Sequence, residues 1–275
     1  MAQERGWLLL TNDDGIEAVG LETLVKALHD EGYPVAVLAP SGNHSATGMR
    51  INLMKPMAYR PRDDLVERWG LNPHTTPVHL FELDGTPCDT MIVALDGGLN
   101  HLVPGVHPQM VVSGVNLGPN LSQDSYHSGT MGAAREAGLY GVPAIAASFT
   151  SFDPVGMERA VEATLDIVAA AAAVLPVKAG NLARPKGALE TTYFTTWPKP
   201  SADEPWRDHP ERALLNAFCN GDLMLNINAP ASWNGSWATT RLGVRWYRNA
   251  VRFGDHGDDA TATFTIGAAS VDHSM

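Results

Sequence analysis

Two adjacent carboxylates, Asp13 and Asp14, are the residues of this 275-residue chain with the clearest capacity for chemistry. They follow an apolar run, Trp7 to Thr11, which has no polar face and therefore predicts a central strand of a parallel sheet. In open α/β sheets ligands bind beyond the carboxyl ends of the strands. Neighbouring carboxylates repel each other unless a cation lies between them or one is protonated, and hard oxygen ligands favour magnesium, manganese or calcium. The alternative is that Asp13 caps the next helix while Asp14 faces water.

Three further polar clusters each follow a predicted strand or open a predicted helix, at residues 41–48, 116–120 and 128–130. Parallel topology places them at the same edge of the sheet as the acidic pair. A helix that opens at Ser128, Gly129 and Thr130 would present backbone amides to an anion, and Gly129 would permit close approach because it lacks a Cβ. Uncharged donors for phosphate oxygens would come from three asparagines, Asn12, Asn43 and Asn120.

Several of these polar residues also have a purely structural interpretation. Asn116 and Asn120 flank a turn glycine and a proline, where asparagine is common for backbone reasons. Ser128 would serve as the N-cap of its helix and nothing more. His127 is interpreted as a residue at the rim of the site and not as a catalytic group.

The remaining pattern predicts an α/β fold with a mostly parallel sheet. Apolar residues at 21, 24, 25 and 28 have helical spacing and lie between strands at 7–11 and 34–39, which makes a right-handed βαβ unit. Further strands are predicted near 78–83, 109–113, 142–148 and 223–228, with a hairpin leading into the first of them. Asp153 and Pro154 predict a helix start by N-cap and first-position proline, with the helix ending near 175.

The C-terminal third of the chain has a different character. Prolines recur from Pro176 to Pro210, which predicts a linker, and residues 239–249 and 261–266 alternate in a way typical of a β-rich arm. We therefore divide the chain into a catalytic part, 1–185, and a linker with a β-rich arm, 186–275. Both parts are expected to belong to one domain.

Composition limits the partners and the compartment. A net charge of −11 argues against a nucleic-acid polymer or an anionic membrane as the partner. Cys88 and Cys219 are the two cysteines and match neither a CxxC motif nor a disulfide framework, so we expect a reducing compartment. Together with the expected absence of a signal peptide and of a membrane span, this predicts a cytoplasmic protein.

Other enzyme and regulator classes fit the sequence less well. There is no G-x-G-x-x-G after the first strand, and neither G-x-S-x-G nor H-E-x-x-H occurs. A cation site beside an anion site favours a metal-assisted phosphatase. Two other classes are alternatives to this interpretation, an aspartyl-phosphate phosphatase and a receiver-like regulator. Both require a lysine near the phosphate, and none of the four polar clusters contains one.

Five motifs, in order over about residues 6 to 150, resemble those of the survival protein SurE family of nucleotidases. They are Leu10-Thr11-Asn12-Asp13-Asp14-Gly15, Ala39-Pro40 with Ser45-Ala46-Thr47-Gly48, Gly85-Thr86-Pro87-Cys88-Asp89, Ser113-Gly114-Val115-Asn116-Leu117-Gly118-Pro119-Asn120-Leu121 and Ser128-Gly129-Thr130. The resemblance implies a Rossmann-like, three-layer α/β fold with a β-rich C-terminal extension that is exchanged between the subunits of a homodimer. The sequence leaves open whether two such dimers pair into a tetramer.

The resemblance also implies a function and a ligand set. It implies a phosphatase acting on nucleoside 5′-monophosphates, and on 3′-monophosphates as a further class, with side activity on short polyphosphate. One divalent metal ion per subunit, magnesium or manganese, would be held by Asp13, Asp14, Ser45 and Asn116. Asp13 and Asp14 would also be the catalytic residues, and the sequence leaves open whether Asp13 acts as general base or as nucleophile.

Overall fold

The computed structural model describes residues 5–175, 210–243, 246–248, 251–253, 264–266 and 270–272. Its strands are β1 (Trp7–Thr11), β2 (Val35–Pro40), β3 (Tyr59–Pro61), β4 (Val78–Leu83), β5 (Pro108–Leu117), β6 (Ala144–Phe149), β7 (Met224–Ala229), β8 (Trp246–Arg248), β9 (Val251–Phe253), β10 (Phe264–Ile266) and β11 (Ser270–Asp272). Its helices are α1 (Val19–Asp30), α2 (Asp63–Arg68), α3 (Pro87–Val93), α4 (Leu99–Leu102), α5 (Asp124–His127), α6 (Gly129–Leu139), α7 (Glu158–Val174) and α8 (Pro210–Cys219), with a π-helical segment, Ala94–Gly98, between α3 and α4.

Seven strands form one sheet in the order β3-β4-β2-β1-β5-β6-β7. Neighbouring strands are parallel except β3, which runs antiparallel to β4 at one edge. β1 lies in the middle between β2 and β5, as its apolar sequence predicts. The predicted α/β class with a mostly parallel sheet is therefore confirmed.

Helices cover both faces of this sheet, which gives three layers. Side chains alternate along β1, so Leu8 and Leu10 pack into the core on the side of α1 and α7 while Leu9 packs on the side of α3 and α6. All three leucines are fully buried. A strand buried on both faces explains why the run contains no polar position before Thr11.

Several boundaries differ from those expected from sequence. β5 continues to Leu117, so Asn116 lies within a strand and not in a turn after it. α7 begins at Glu158, because Asp153 Oδ1 accepts a hydrogen bond from the Val155 amide in a separate turn before the helix. The predicted hairpin before β4 is interrupted by α2, although β3 and β4 do pair antiparallel.

The C-terminal part both completes the sheet and forms separate strand pairs. β7 lies beyond residue 185 yet pairs in parallel with β6, so the main sheet extends past the expected division. β8 pairs with β11 and β9 with β10, each antiparallel, which confirms a β-rich C-terminal extension. The linker expected over Pro176 to Pro210 lies, except for Pro210, outside the described residues, and so does much of the arm.

None of the helices in the described part of the chain is long and apolar enough to cross a membrane.

Candidate functional site

The turn after β1 fixes the direction of the acidic pair. The Asn12 amide nitrogen donates to the Gly15 carbonyl at 2.8 Å, and Asn12 Oδ1 accepts from the Gly15 amide at 3.2 Å. Gly15 has a φ of +103°, and a Cβ there would lie 3.0 Å from the Gly42 backbone, so the turn requires glycine. The Asn12 side chain is fully buried, and both its nitrogen and its oxygen bond within this turn; its donation to phosphate stays a prediction.

Asp13 is a buried carboxylate at the carboxyl end of β1. Only 3% of its surface is exposed, and its Oδ1 accepts a hydrogen bond of 2.6 Å from the Thr130 hydroxyl. Burial raises the pKa of Asp13 to about 6, and the charge of Asp14 adds to this, although the hydroxyl and amide of Thr130 act in the opposite direction. The arrangement therefore concentrates negative charge in a place where water solvates it poorly.

Asp14 connects the end of β1 with β5 and with the loop after β2. Its Oδ2 accepts from the Leu117 amide at 3.2 Å and its Oδ1 accepts from the Asn43 amide nitrogen at 3.3 Å. Burial raises the pKa of this carboxyl above its usual range as well. Leu117 contributes through its backbone, so its side-chain type gave no signal in the sequence.

The loop at 41–48 lies directly against the acidic pair. The His44 amide donates to the Asp13 carbonyl at 2.6 Å, and the Ser45 amide donates to Asn43 Oδ1 at 2.8 Å. Asn43 and Ser45 are both exposed. Within the described part of the chain no side chain or backbone group bonds to the Ser45 hydroxyl, so this oxygen remains available to a ligand.

Asn116 presents its carboxamide oxygen from the end of β5. Its amide nitrogen donates to the Gly118 carbonyl at 2.7 Å, which fixes the orientation of the group. No described residue donates to Asn116 Oδ1. Because Leu117 follows it directly and bonds to Asp14, Asn116 lies at the same sheet edge as the acidic pair.

The N-terminus of α6 is directed at Asp13 and not at open solvent. Ser128 Oγ accepts from the Met131 amide at 3.1 Å and caps the helix, as the structural interpretation of this serine predicts. A Cβ at Gly129 would lie 2.7 Å from the Asp13 Cβ, so glycine is required here by Asp13. The contact with Asp13 is a second reason for glycine here, beside the close approach of phosphate that the sequence predicts. Thr130 is fully buried and bonds to Asp13, which leaves the Gly129 amide as the group of this trio without a partner among the described residues.

Asn120 has a structural position. Its amide nitrogen donates to Ser148 Oγ at 2.9 Å, its backbone amide donates to Asn228 Oδ1 at 2.8 Å, and its carbonyl accepts from the Asn226 amide nitrogen at 3.0 Å. The Asn120 side chain thus bonds to Ser148, and its donation to phosphate stays a prediction. Asn226 and Asn228 were missed as supports of this loop, although two asparagines on the same face of a predicted strand are an unusual pattern.

The donor set at this edge fits a hard divalent cation. No Lys, Arg or His of the described residues forms an ion pair with Asp13 or Asp14, so a buried and a half-buried carboxylate stand next to each other without a cationic partner. The unbonded oxygens of Asn116 and Ser45 are neutral, hard donors at the same edge. Among the described residues, no group of three or more His, Cys, Asp or Glu is placed so that it could hold a metal ion.

Comparison with known proteins agrees with this architecture. The family model described as survival protein SurE matches residues 8–249. The 5′-nucleotidase SurE of Desulfitobacterium hafniense (strain DSM 10664 / DCB-2) is 39% identical over 155 residues, which cover 56% of this chain and 55% of that protein. This chain thus spans little more than half the length of that relative.

Two further relatives match over longer stretches. The 5′-nucleotidase SurE of Anaeromyxobacter sp. (strain Fw109-5) is 32% identical, and the match covers 89% of this chain and 71% of that protein. The 5′-nucleotidase SurE of Prochlorococcus marinus (strain AS9601) is 34% identical, and the match covers 92% of this chain and 75% of that protein. The crystal structure of the SurE protein from Aquifex aeolicus has the same fold, with a TM-score of 0.61 and 24% identity over 97% of this chain and 83% of that one. The chain belongs to the survival protein SurE family.

Proposed function

We propose that the protein is a divalent-metal-dependent phosphomonoesterase that hydrolyses nucleoside 5′-monophosphates to nucleoside and phosphate. Nucleoside 3′-monophosphates are a second substrate class in this proposal, and short polyphosphate is a side activity. The curated relatives are named 5′-nucleotidases, which supports the substrate class. The observation that carries the metal dependence is the adjacent pair of carboxylates, the buried Asp13 and the half-buried Asp14, which has no cationic partner among the described residues and lies at the same sheet edge as the unbonded oxygen of Asn116.

The residues of the chain have distinct tasks in this proposal. Asp13, Asp14, Ser45 and Asn116 would hold one magnesium or manganese ion per subunit, which polarises a phosphoryl oxygen and lowers the pKa of a bound water. The Thr130 hydroxyl holds Asp13 in place through its 2.6 Å hydrogen bond. The Leu117 amide and the Asn43 amide nitrogen do the same for Asp14.

Donors for the phosphate lie on two sides of the acidic pair. The Gly129 amide, at the N-terminus of α6, and the exposed side chain of Asn43 offer N–H groups without adding charge. Hydrogen bonds directed at the oxygens on which charge accumulates are a main source of rate enhancement in phosphoryl transfer. Both donors contact the acidic pair, because Gly129 packs on Asp13 and Asn43 donates to Asp14.

Two roles for Asp13 remain in competition, general base and nucleophile. If Asp13 is the nucleophile, the reaction forms a phosphorylated Asp13 as a covalent intermediate. Rapid acid quenching of a reaction with 32P-labelled substrate would trap this intermediate. A general base would leave no label on the chain. The hydrogen bond from Thr130 to Asp13 Oδ1 favours the general base over the nucleophile, because a nucleophilic carboxylate must have an oxygen directed at phosphorus.

A phosphate-release screen tests the proposed function. We expect release from nucleoside monophosphates in the presence of manganese or magnesium, loss of at least about a hundredfold in rate after EDTA treatment, and recovery when the metal is restored, since a cation contributes several kcal/mol to this chemistry. Calcium serves as a matched control of charge, and a chain treated with EDTA and then dialysed against EDTA-free buffer controls for chelator effects. Release that EDTA does not change would overturn the metal dependence.

We also infer that the protein is a homodimer assembled through residues beyond about 210. Within the described residues the strand pairs β8–β11 and β9–β10 are each two strands wide, and a two-stranded ribbon is marginally stable by itself. Multi-angle light scattering at micromolar concentration should give twice the chain mass of 29.4 kDa, or four times if dimers pair. A truncation after Ala229, which keeps β7 in the sheet, should be monomeric; a monomeric full-length chain would contradict the inference.

The cytoplasmic location stays a prediction. It rests on the two free cysteines, Cys88 and Cys219, and on the sequence features discussed above.

A further inference from the structure

Phe152 is a large aromatic side chain that the fold leaves open to solvent at the edge of the sheet that carries the site. Its exposed fraction is 80%. It lies in the loop after β6, the strand next to β5, and β5 ends in the residues that contact Asp14. Ligands of open α/β sheets bind beyond these carboxyl ends, so an exposed ring here lies where a substrate is expected.

The ring packs against the backbone of the strand end that forms the site. A Cβ at Gly118 would lie only 2.6 Å from Cε1 of Phe152, so the ring lies directly against the bare Cα of this glycine. The Gly118 carbonyl accepts the hydrogen bond that orients Asn116, at 2.7 Å. Gly118 directly follows Leu117, and the Cα atoms of these two residues are about 3.8 Å apart. The Leu117 amide donates to Asp14.

The loop that carries the ring is held by local hydrogen bonds. The Asp153 amide donates to Ser151 Oγ and the Val155 amide donates to Asp153 Oδ1, each at 3.0 Å. The Thr150 amide donates to the Ala229 carbonyl at 3.1 Å and ties the start of the loop to β7. The Phe152 side chain therefore lies on a hydrogen-bonded turn, with one part of its ring covered by Gly118 and most of its surface open to solvent.

We propose that Phe152 is the platform on which the base of a nucleoside monophosphate stacks, and that it determines the preference for nucleotides over phosphomonoesters without a base. This inference rests on the proposed function and adds a base-recognition residue to it. Stacking on an aromatic ring accepts every base, because each has a π-face, and is stronger for the larger purines. The platform carries no charge and contributes nothing to metal binding.

The test compares substrates with and without a base. Phe152→Ala should lower kcat/KM for AMP relative to that for ribose 5-phosphate by about tenfold, mainly through KM, with a smaller change for UMP. Phe152→Trp should restore the preference, because it restores a ring. Val155→Ala removes an equally exposed apolar side chain, 78% exposed, from the same loop and should leave the ratio of the two substrates unaltered. An unaltered ratio in Phe152→Ala would overturn the proposal.

A second measurement separates this proposal from the proposed function. Adenosine has a base but no phosphate, so its binding, measured by saturation-transfer NMR in the presence of EDTA, requires neither catalysis nor metal. Phe152-dependent adenosine binding by a chain that releases no phosphate would support the platform and reject the phosphatase. If the protein releases phosphate but the Phe152→Ala variant still binds adenosine as the wild type does, the phosphatase is supported and the platform is rejected. Light scattering of Phe152→Ala must give the wild-type mass; a change would show that the ring is covered by a second copy of the chain, and would overturn the proposal.

Discussion

Replacing Asp14 by asparagine is expected to abolish phosphate release while the protein stays folded. The substitution removes one of two charges that would hold the cation, and a loss of roughly a thousandfold in rate corresponds to about 4 kcal/mol of transition-state stabilisation. The Leu117 amide and the Asn43 amide nitrogen both donate to Asp14. A single asparagine oxygen replaces the two carboxylate oxygens, so one of these hydrogen bonds is weakened, and the core beneath is untouched.

Calorimetric titration with manganese, phosphate release and thermal unfolding together test this result. Glu31→Gln is the matched control, because it removes the same charge from an exposed position at the end of α1. The control should bind manganese and release phosphate like the wild type. Manganese affinity in Asp14→Asn equal to that of the wild type would show that the ligand set is wrong.

Alanine at Gly129 is expected to remove both metal binding and phosphate release. The added Cβ would lie 2.7 Å from the Asp13 Cβ and 3.2 Å from the His44 carbonyl oxygen, and both neighbours are held by backbone. Asp13 must therefore move, and a displacement of the order of 1 Å in a catalytic group costs about a hundredfold in rate. Valine at the same position should be more severe, since two further methyl groups enter the same space.

Gly42→Ala is the control for this prediction. Gly42 lies at the same edge of the sheet, but a Cβ there meets no atom within 4 Å and its φ is not in the left-handed region. It should keep normal activity and manganese affinity. If Gly129→Ala instead loses activity while it binds manganese as the wild type does, Gly129 serves the phosphate alone, as the sequence by itself suggested.

The parts of the site that could be predicted from sequence are those that a local pattern determines. The unbroken apolar run before Asp13 identifies a strand buried on both faces, and parallel topology then places its end beside the ends of β2 and β5. Ser128 was recognised as a helix cap for the same reason, since capping depends on residues three positions apart.

What could not be predicted depends on partners far along the chain. Asn12 and Asn120 have the same side chain as Asn43, yet only Asn43 is exposed at the site. The difference comes from contacts within the fold. Asn12 bonds to Gly15, and Asn120 bonds to Ser148 and Asn228. In the same way, glycine at 129 is explained by Asp13, more than a hundred positions away, and no local pattern contains that contact.

The tie between Asn120 and Asn228 has a consequence for how the chain is made. The two residues are 108 positions apart, so the hydrogen bonds of Asn228 and Asn226 with Asn120, at the start of the loop that leads to Ser128, cannot form until the ribosome has released β7. Until then β6 is a bare sheet edge, open to pairing with other nascent chains. A nascent chain that ends before Met224 therefore lacks these hydrogen bonds and exposes the strand edge that β7 later covers, which makes it prone to aggregation although its acidic pair has long been synthesised.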